Sequence, residues 1–325
     1  MSISRGIVAA IIISFSAYSI DYFLRSNNYF SLGSSTIAFI MGAISAQFIV
    51  GLEKGAKWIN TTILPVVVIL LGFGLNINLF LDPKVGYRGL LIAVISAFSC
   101  LAFCYMYAIK TGLDKKSALA MGAGGSICGN SAVMAVSGPL KLDEKNIAVT
   151  LAIVNIMGFI TFLLIPILAN LLGLIQLNAG IWAGATIHAV PQAIAAGESI
   201  GKEGLVISTA VKLSRVSLLI FVVPLCAYIG NRTEQNEMEK INHFNIPLFV
   251  PGFIIAALIS TLFFPESISE IITDIASFLL IPLLAAVGFF ISKESFNQIG
   301  GRLLILGILS TSVMIMTSYS LIIIT

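Results

Sequence analysis

The sequence predicts an all-α polytopic membrane protein of about 10–11 transmembrane helices, with inverted repeats and with helices interrupted near the midplane. Three observations carry the membrane class. Of 325 residues, 58% are apolar and 10% are charged, against about 25% charged in soluble domains. Mean hydropathy is +1.03. The apolar residues also run on in stretches of about 20, the length at which a helix crosses a bilayer, and do not alternate like the strands of an outer-membrane barrel. So few charges could not cover a soluble surface. An ordinary cytosolic enzyme, a nucleic-acid binder and a disordered protein are excluded.

Eleven such stretches occur, at about 6–24, 34–51, 60–81, 88–109, 117–138, 147–172, 180–198, 204–229, 246–264, 270–292 and 302–324. They leave no room for a soluble domain, so residues 1–325 read as one membrane domain with approximate halves 1–172 and 180–325. The first stretch follows Arg5 and reads as a membrane helix, because Ala17-Tyr18-Ser19 is a poor signal-peptide cleavage site. The longest polar stretch, 231–245, reads as a solvated loop in which His243 is inert. Cys100, Cys104, Cys128 and Cys226 all lie inside apolar stretches without metal or disulfide spacing, and read as packing residues.

Orientation follows from the loop cations. With eleven simple spans, Arg5, Lys54, Lys57, Lys110, Lys115, Lys116, Arg232, Lys240, Lys293 and Arg302 share the N-terminal side, which makes ten. Arg25, Lys84, Arg88, Lys141, Lys145 and Lys202 lie opposite, which makes six. The excess puts the N-terminus in the cytoplasm and the chain in the cell (inner) membrane. A single re-entrant stretch would flip the C-terminal half.

Two internal similarities stand out. Gly124-Gly125-Ser126-Ile127-Cys128-Gly129-Asn130-Ser131-Ala132 resembles Gly184-Ala185-Thr186-Ile187-His188-Ala189-Val190-Pro191-Gln192. Pro65 to Leu79 resembles Pro282 to Ser295, seven stretches away, so those two would run in opposite directions, the mark of an inverted-repeat transporter. The first pair would be parallel unless one of its members is re-entrant.

The chemistry is expected where these repeats are weakest as helices. Gly125 and Gly129 in one, and Gly184 and Pro191 in the other, loosen the backbone ladder, and in lipid the freed groups need protein or a water-filled cavity. Close helix packing is the competing use of such small-residue pairs. The polar residues inside spans that stand out are Ser126, Asn130, Ser131, Asn155, Thr186, His188, Gln192, Lys212 and Arg215. Arg215 falls near the middle of its span, where a cation costs about 2.5–3.5 kcal/mol or more. No Asp or Glu lies near the centre of any span. The interior is cationic without a protein counter-ion, and an anionic ligand would resolve that. The planar fork of arginine suits sulfate, sulfonate or carboxylate oxygens. His188 is a further donor, more often a helix contact than a proton carrier.

Gly125 to Ala132, Trp182 to His188 and Val211 to Val216, with Leu70 to Leu75 and Pro282 to Gly288, resemble the signatures of the YeiH-type family, labelled as sulfate exporters. The likeness covers nearly the whole chain. It implies the fold of the broader cation:proton antiporter and anion transporter superfamily, with inverted repeats and crossed, interrupted helices. The chain departs from many relatives after His188, where an acidic and a hydroxyl residue give way to Ala189 and Val190.

The expectation is a secondary transporter that exports a small oxyanion such as sulfate or an organosulfonate. Its substrate-binding residues would be Ser126, Asn130, Ser131, Asn155, His188, Gln192, Lys212 and Arg215. Helix breaks are expected at Gly125, Gly129, Gly184 and Pro191. A monovalent cation/proton antiporter would want a midplane carboxylate, and an intramembrane enzyme would want a metal cluster or a paired acid. No cofactor, metal or nucleic acid is expected. The partners are the anion and the lipid bilayer, with a homodimer as a possible assembly.

Overall fold

The computed structural model describes residues 3–27, 33–74, 86–231, 249–290 and 301–325. Residues 75–81 of the third stretch, most of the polar loop with His243, and Lys84 and Lys293 lie outside these. Among the described residues there are helices and no strands. In chain order they are α1 (Ile3–Ser26), α2 (Ser34–Ser45), α3 (Glu53–Gly72), α4 (Arg88–Thr111), α5 (Lys115–Ser126), α6 (Asn130–Ser137), α7 (Glu144–Leu171), α8 (Gln176–Thr186), α9 (Val190–Ile200), α10 (Lys202–Ser217), α11 (Leu219–Asn231), α12 (Phe249–Phe263), α13 (Glu266–Gly288) and α14 (Gly301–Ile324).

Six helices are long and apolar enough to cross a membrane, within α1, α3, α4, α7, α13 and α14. Their outward faces stay apolar, as at Phe15, Tyr22, Ile271 and Met316. Water would not tolerate so much exposed apolar surface. Lipid does. The chain is a multi-pass membrane protein.

The stretches 117–138 and 180–198 are not single helices. Each is a pair, α5–α6 and α8–α9, and each pair is a hairpin. Helix α5 returns along α4: a Cβ at Gly122 would lie 3.1 Å from Cys104 Cβ, and one at Gly125 would lie 3.2 Å from Cys100 Sγ. Helix α6 then folds back, with Val133 against Gly124. Val154 of α7 also meets Gly124, and it lies ten residues into its helix, about 15 Å from the start at the usual rise. The starts of α5 and α7 therefore share one face of the molecule. From there α7 crosses to the other face.

The second hairpin enters from that other face. Helix α8 runs alongside α10, with Gly180 against Gly204 and Gly184 against Ser208 and Val211. Helix α9 comes back antiparallel to α10, with Gly197 against Gly204 and Leu205. Gly201 alone links α9 to α10, at a φ of 142° and pressed against the Gln176 carboxamide. Arg88 locates the same face, because its guanidinium bonds Asn178 Oδ1 at 2.9 Å and Ile322 O at 2.6 Å. The start of α4, the start of α8 and the end of α14 thus lie together. We call this the C face, since the chain ends there, and the opposite one the N face.

Helices α1, α2, α3, α12 and α13 pack together as a second group. Helix α3 starts beside the start of α1, where Gly55 approaches Ile3 O and Gly6. It ends at the C face, where Gly74 meets Thr273 of α13 and Val206 of α10. Helices α3 and α13, which carry Pro65 and Pro282, run in opposite directions, since the end of α3 meets the first turns of α13. The stretch 34–51 is helical only to Ser45, and 204–229 is broken at Leu218 between α10 and α11.

Candidate binding site at the hairpin crossing

The hairpin tips, Ile127–Gly129 and Ile187–Ala189, meet in the interior. A Cβ at Gly129 would lie 3.7 Å from His188 O. Gly129 turns the chain at a φ of 68°, in the left-handed region where glycine alone is free of cost. Both breaks fall where glycine and proline weaken the sequence, and Pro191 sits in the first turn of α9, where its missing N–H costs nothing.

A helix that ends inside a membrane leaves carbonyls without partners. In α5, Ala123 O and Gly124 O are taken by the tip amides of Ile127 and Gly129. The next three are taken by cations from α10. Arg215 donates to Gly125 O at 2.8 Å and to Ser126 O at 2.9 Å, and Lys212 donates to Ile127 O at 2.5 Å. In α8 the pattern repeats. Arg215 donates to Gly184 O at 3.1 Å and Ile187 O at 3.2 Å, and Lys212 to Ile187 O at 2.5 Å. Both cations are fully buried. They sit one turn apart on α10, and each binds both hairpins at once.

The sequence assigned the Arg215 fork to the anion. The structure puts it on four carbonyls and against Met314 Sδ at 3.4 Å, a contact with α14 that nothing in the sequence signalled. Ser126 likewise uses its carbonyl for Arg215 and its hydroxyl for Ala123 O. Gly184 is a packing glycine, pressed on the α10 backbone at Ser208. Thr186 bonds Trp182 O within its own helix.

The remaining expected residues are less committed. His188 is buried, with Nε2 3.2 Å from Thr311 Oγ1 of α14 and with Nδ1 unpartnered. Gln192 is buried and its Oε1 is unpartnered. Asn155 is half-buried on α7 one residue from the Val154 contact with the tip, and Asn130 and Ser131 are exposed at the start of α6. Ser131 Oγ and Cys128 Sγ lie 2.6 Å apart. The sequence missed Thr311, Met314 and Ser96, whose hydroxyl reaches Ala185 O at 3.5 Å. Serine and threonine bonded to their own helix are common in membrane spans, so type alone does not mark them.

Charge can be summed over the crossing. Each helix C-terminus carries roughly half a negative charge and each N-terminus roughly half a positive one. The ends of α5 and α8 and the starts of α6 and α9 then cancel to about zero. The formal charges of Lys212 and Arg215 remain, with no carboxylate among the described residues to bond them. A cavity of about 510 Å³ opens toward the C face between α3, α10, α12 and α13. It is lined by Glu203, Glu266, Glu270 and Asp274 against Lys202 alone, so it repels anions and is not the candidate.

Apolar helices around two opposed, buried hairpin tips define a polytopic integral membrane protein. The chain belongs to the family described as Conserved hypothetical protein 698, whose model matches residues 5–307. This is the UPF0324, YeiH-type family that its motifs resemble. It is similar to the UPF0324 membrane protein Atu0671 of Agrobacterium fabrum, 29% identical over 98% of this chain and 92% of that one. It is also similar to the UPF0324 membrane protein BL1094 of Bifidobacterium longum, 33% identical over 82% of this chain and 76% of that one. The UPF0324 membrane protein LMOf2365_2179 of Listeria monocytogenes is 29% identical over 90% of this chain and 88% of that one. No solved structure matches the chain significantly.

Proposed function

We propose that the chain is a secondary transporter that exports a small oxyanion, such as sulfate or an organosulfonate, through the hairpin crossing. One observation carries this reading: two formal positive charges, Lys212 and Arg215, are fully buried where the tips meet, and no described carboxylate bonds them. An anion would be held among Asn130, Ser131, Asn155, His188 and Gln192, with the charge supplied by the two cations behind Ser126 and Ile127. A membrane potential negative inside favours its exit by about 2.3 kcal/mol per charge per 100 mV. A cation/proton antiporter would place its substrate in the same positive field, which disfavours it.

The opposed hairpins also support an inverted repeat. With one span, α7, between them, the two similar motifs enter from opposite faces. The hairpins sharpen the orientation as well. Lys141, between α6 and α7, and Lys145, in the first turn of α7, move to the N face beside Arg5, Lys54, Lys57, Lys110, Lys115, Lys116 and Arg302. Among the described residues that makes nine there, against Arg25, Arg88 and Lys202 on the C face. The bias favours a cytoplasmic N-terminus.

The test is flux. Purified protein in liposomes should exchange labelled sulfate or taurine in a saturable way that responds to an imposed potential. Equal rates in protein-free liposomes for every oxyanion tried would refute the reading.

A further inference from the structure

Gly158 lies on α7 opposite the start of α9. A Cβ there would come within 2.5 Å of Gln192 Oε1 and 3.3 Å of His188 Cβ. The Gln192 carboxamide therefore rests in space that any other residue would fill. Gln192 is 3% exposed and His188 2%. Gln192 Oε1 and His188 Nδ1 nevertheless have no hydrogen-bond partner. Buried polar atoms are nearly always satisfied. Two buried side chains that carry orphan atoms and pack on one glycine mark a place that a ligand completes.

The field around them selects the ligand. Ile187 O, one residue before His188, is bonded by both Lys212 and Arg215. The potential at the orphans is positive, which favours an anion and opposes a metal ion or ammonium. An oxyanion there can be met by neutral donors alone. If Nε2 of a neutral imidazole accepts from the Thr311 hydroxyl, Nδ1–H is left to donate. The carboxamide has the same shape with its ends exchanged, which turns an N–H toward the anion.

We infer that Gly158, Gln192 and His188 form a neutral-donor anion subsite. Gln192 and His188 contact the oxyanion, Gly158 makes the room and so sets specificity, and Lys212 and Arg215 act from behind the backbone. This rests on the anion-transport reading above. The layering suits transport, in which a ligand must be held and then released. A full ion pair in a dry interior would hold it too well.

The experiment is isothermal titration of the purified full-length protein with sulfate, thiosulfate, taurine and sulfoacetate. Wild type, Gln192→Leu, Gly158→Ala and the double variant Gly158→Ala/Gln192→Ala are compared, with ligand-free melting temperatures measured alongside. Gln192→Leu should weaken the dissociation constant about ten- to a hundredfold, the usual effect of losing a buried hydrogen-bond partner. Gly158→Ala should do the same by pushing the carboxamide off its seat. The double variant relieves that clash, so it should melt at the wild-type temperature or above and still bind weakly. Wild-type affinity in the double variant overturns the subsite and leaves the transport reading standing. Absence of binding by wild type to all four probes refutes the transport reading itself, and the subsite with it.

Discussion

Arg215 and Ser126 lie 89 positions apart in the chain and are joined by an Nε–H···O bond of 2.9 Å. The same guanidinium reaches Gly184 O at 3.1 Å. One side chain therefore closes two hairpins that enter from opposite faces. The cation at the centre of the protein is a fastener.

Arg215→Met should then destabilise the ligand-free protein strongly. Gly125 O, Ser126 O and Gly184 O would lose their donor, and a buried carbonyl left unpartnered costs about 1–3 kcal/mol. Arg215→Lys keeps one positive donor and should fall between Arg215→Met and wild type. Melting of detergent-purified variants decides it; a wild-type melting temperature for Arg215→Met would exclude the fastening role.

Gly129→Ala should cost about 1–2 kcal/mol, because a left-handed φ of 68° disfavours any residue with a Cβ. The space around that Cβ is adequate, the nearest atom lying 3.6 Å away, so strain alone would act. At Gly184 the opposite holds. Its φ is ordinary, but a Cβ would lie 2.6 Å from Ser208 O, so Gly184→Ala should lower the melting temperature by parting α8 from α10. Equal tolerance of both substitutions would contradict these two contacts.

The hairpins make a topological forecast. Cysteine introduced at Lys57 and at Lys141 should react with a membrane-impermeant maleimide from the same side, and cysteine at Lys202 from the other. Eleven simple spans would put Lys57 and Lys141 on opposite sides. The four native cysteines are buried and should contribute little background.

His188→Gln should retain most flux and leave its pH dependence unchanged, since glutamine keeps a neutral donor and no carboxylate stands beside position 188 in the sequence. A flattened pH profile with binding intact would instead assign proton carriage to the imidazole.

Asp114 offers a pH test at the N face. Burial pushes its carboxyl up, but the hydrogen bonds from the Ser117 hydroxyl and amide and from the Lys116 amide outweigh it and hold the group below its usual value. A lowered folded value means that the cap contributes at neutral pH and is lost as pH falls through that lowered value. Asp114→Ala should cost about 1 kcal/mol at pH 7. It should cost nothing extra once the carboxyl is protonated, as a pair of melting curves at neutral and strongly acid pH would reveal.

Composition alone made the membrane class legible, and Gly125–Gly129 with Gly184–Pro191 made both breaks legible. The direction after each break was not. A stretch such as 117–138 is long enough to cross, and only Val133 folding onto Gly124 shows that it returns. The candidate residues were recognisable as polar types in apolar runs. Their partners escaped notice for one reason. Arg215 is satisfied by main-chain carbonyls, which every residue owns and no sequence distinguishes. Gly158 was invisible in the same way, because its effect is the room it leaves.

The one-residue link at Gly201 joins the second hairpin directly to the helix that supplies Lys212 and Arg215. The first hairpin has no such neighbour, and the ribosome completes it well before position 212 is made. Until then, Gly125 O, Ser126 O and Ile127 O have no lysine or arginine to meet. The first hairpin should therefore take its final seat only when α10 is delivered. Assembly should then run backwards along the chain, its later half drawing the earlier one in.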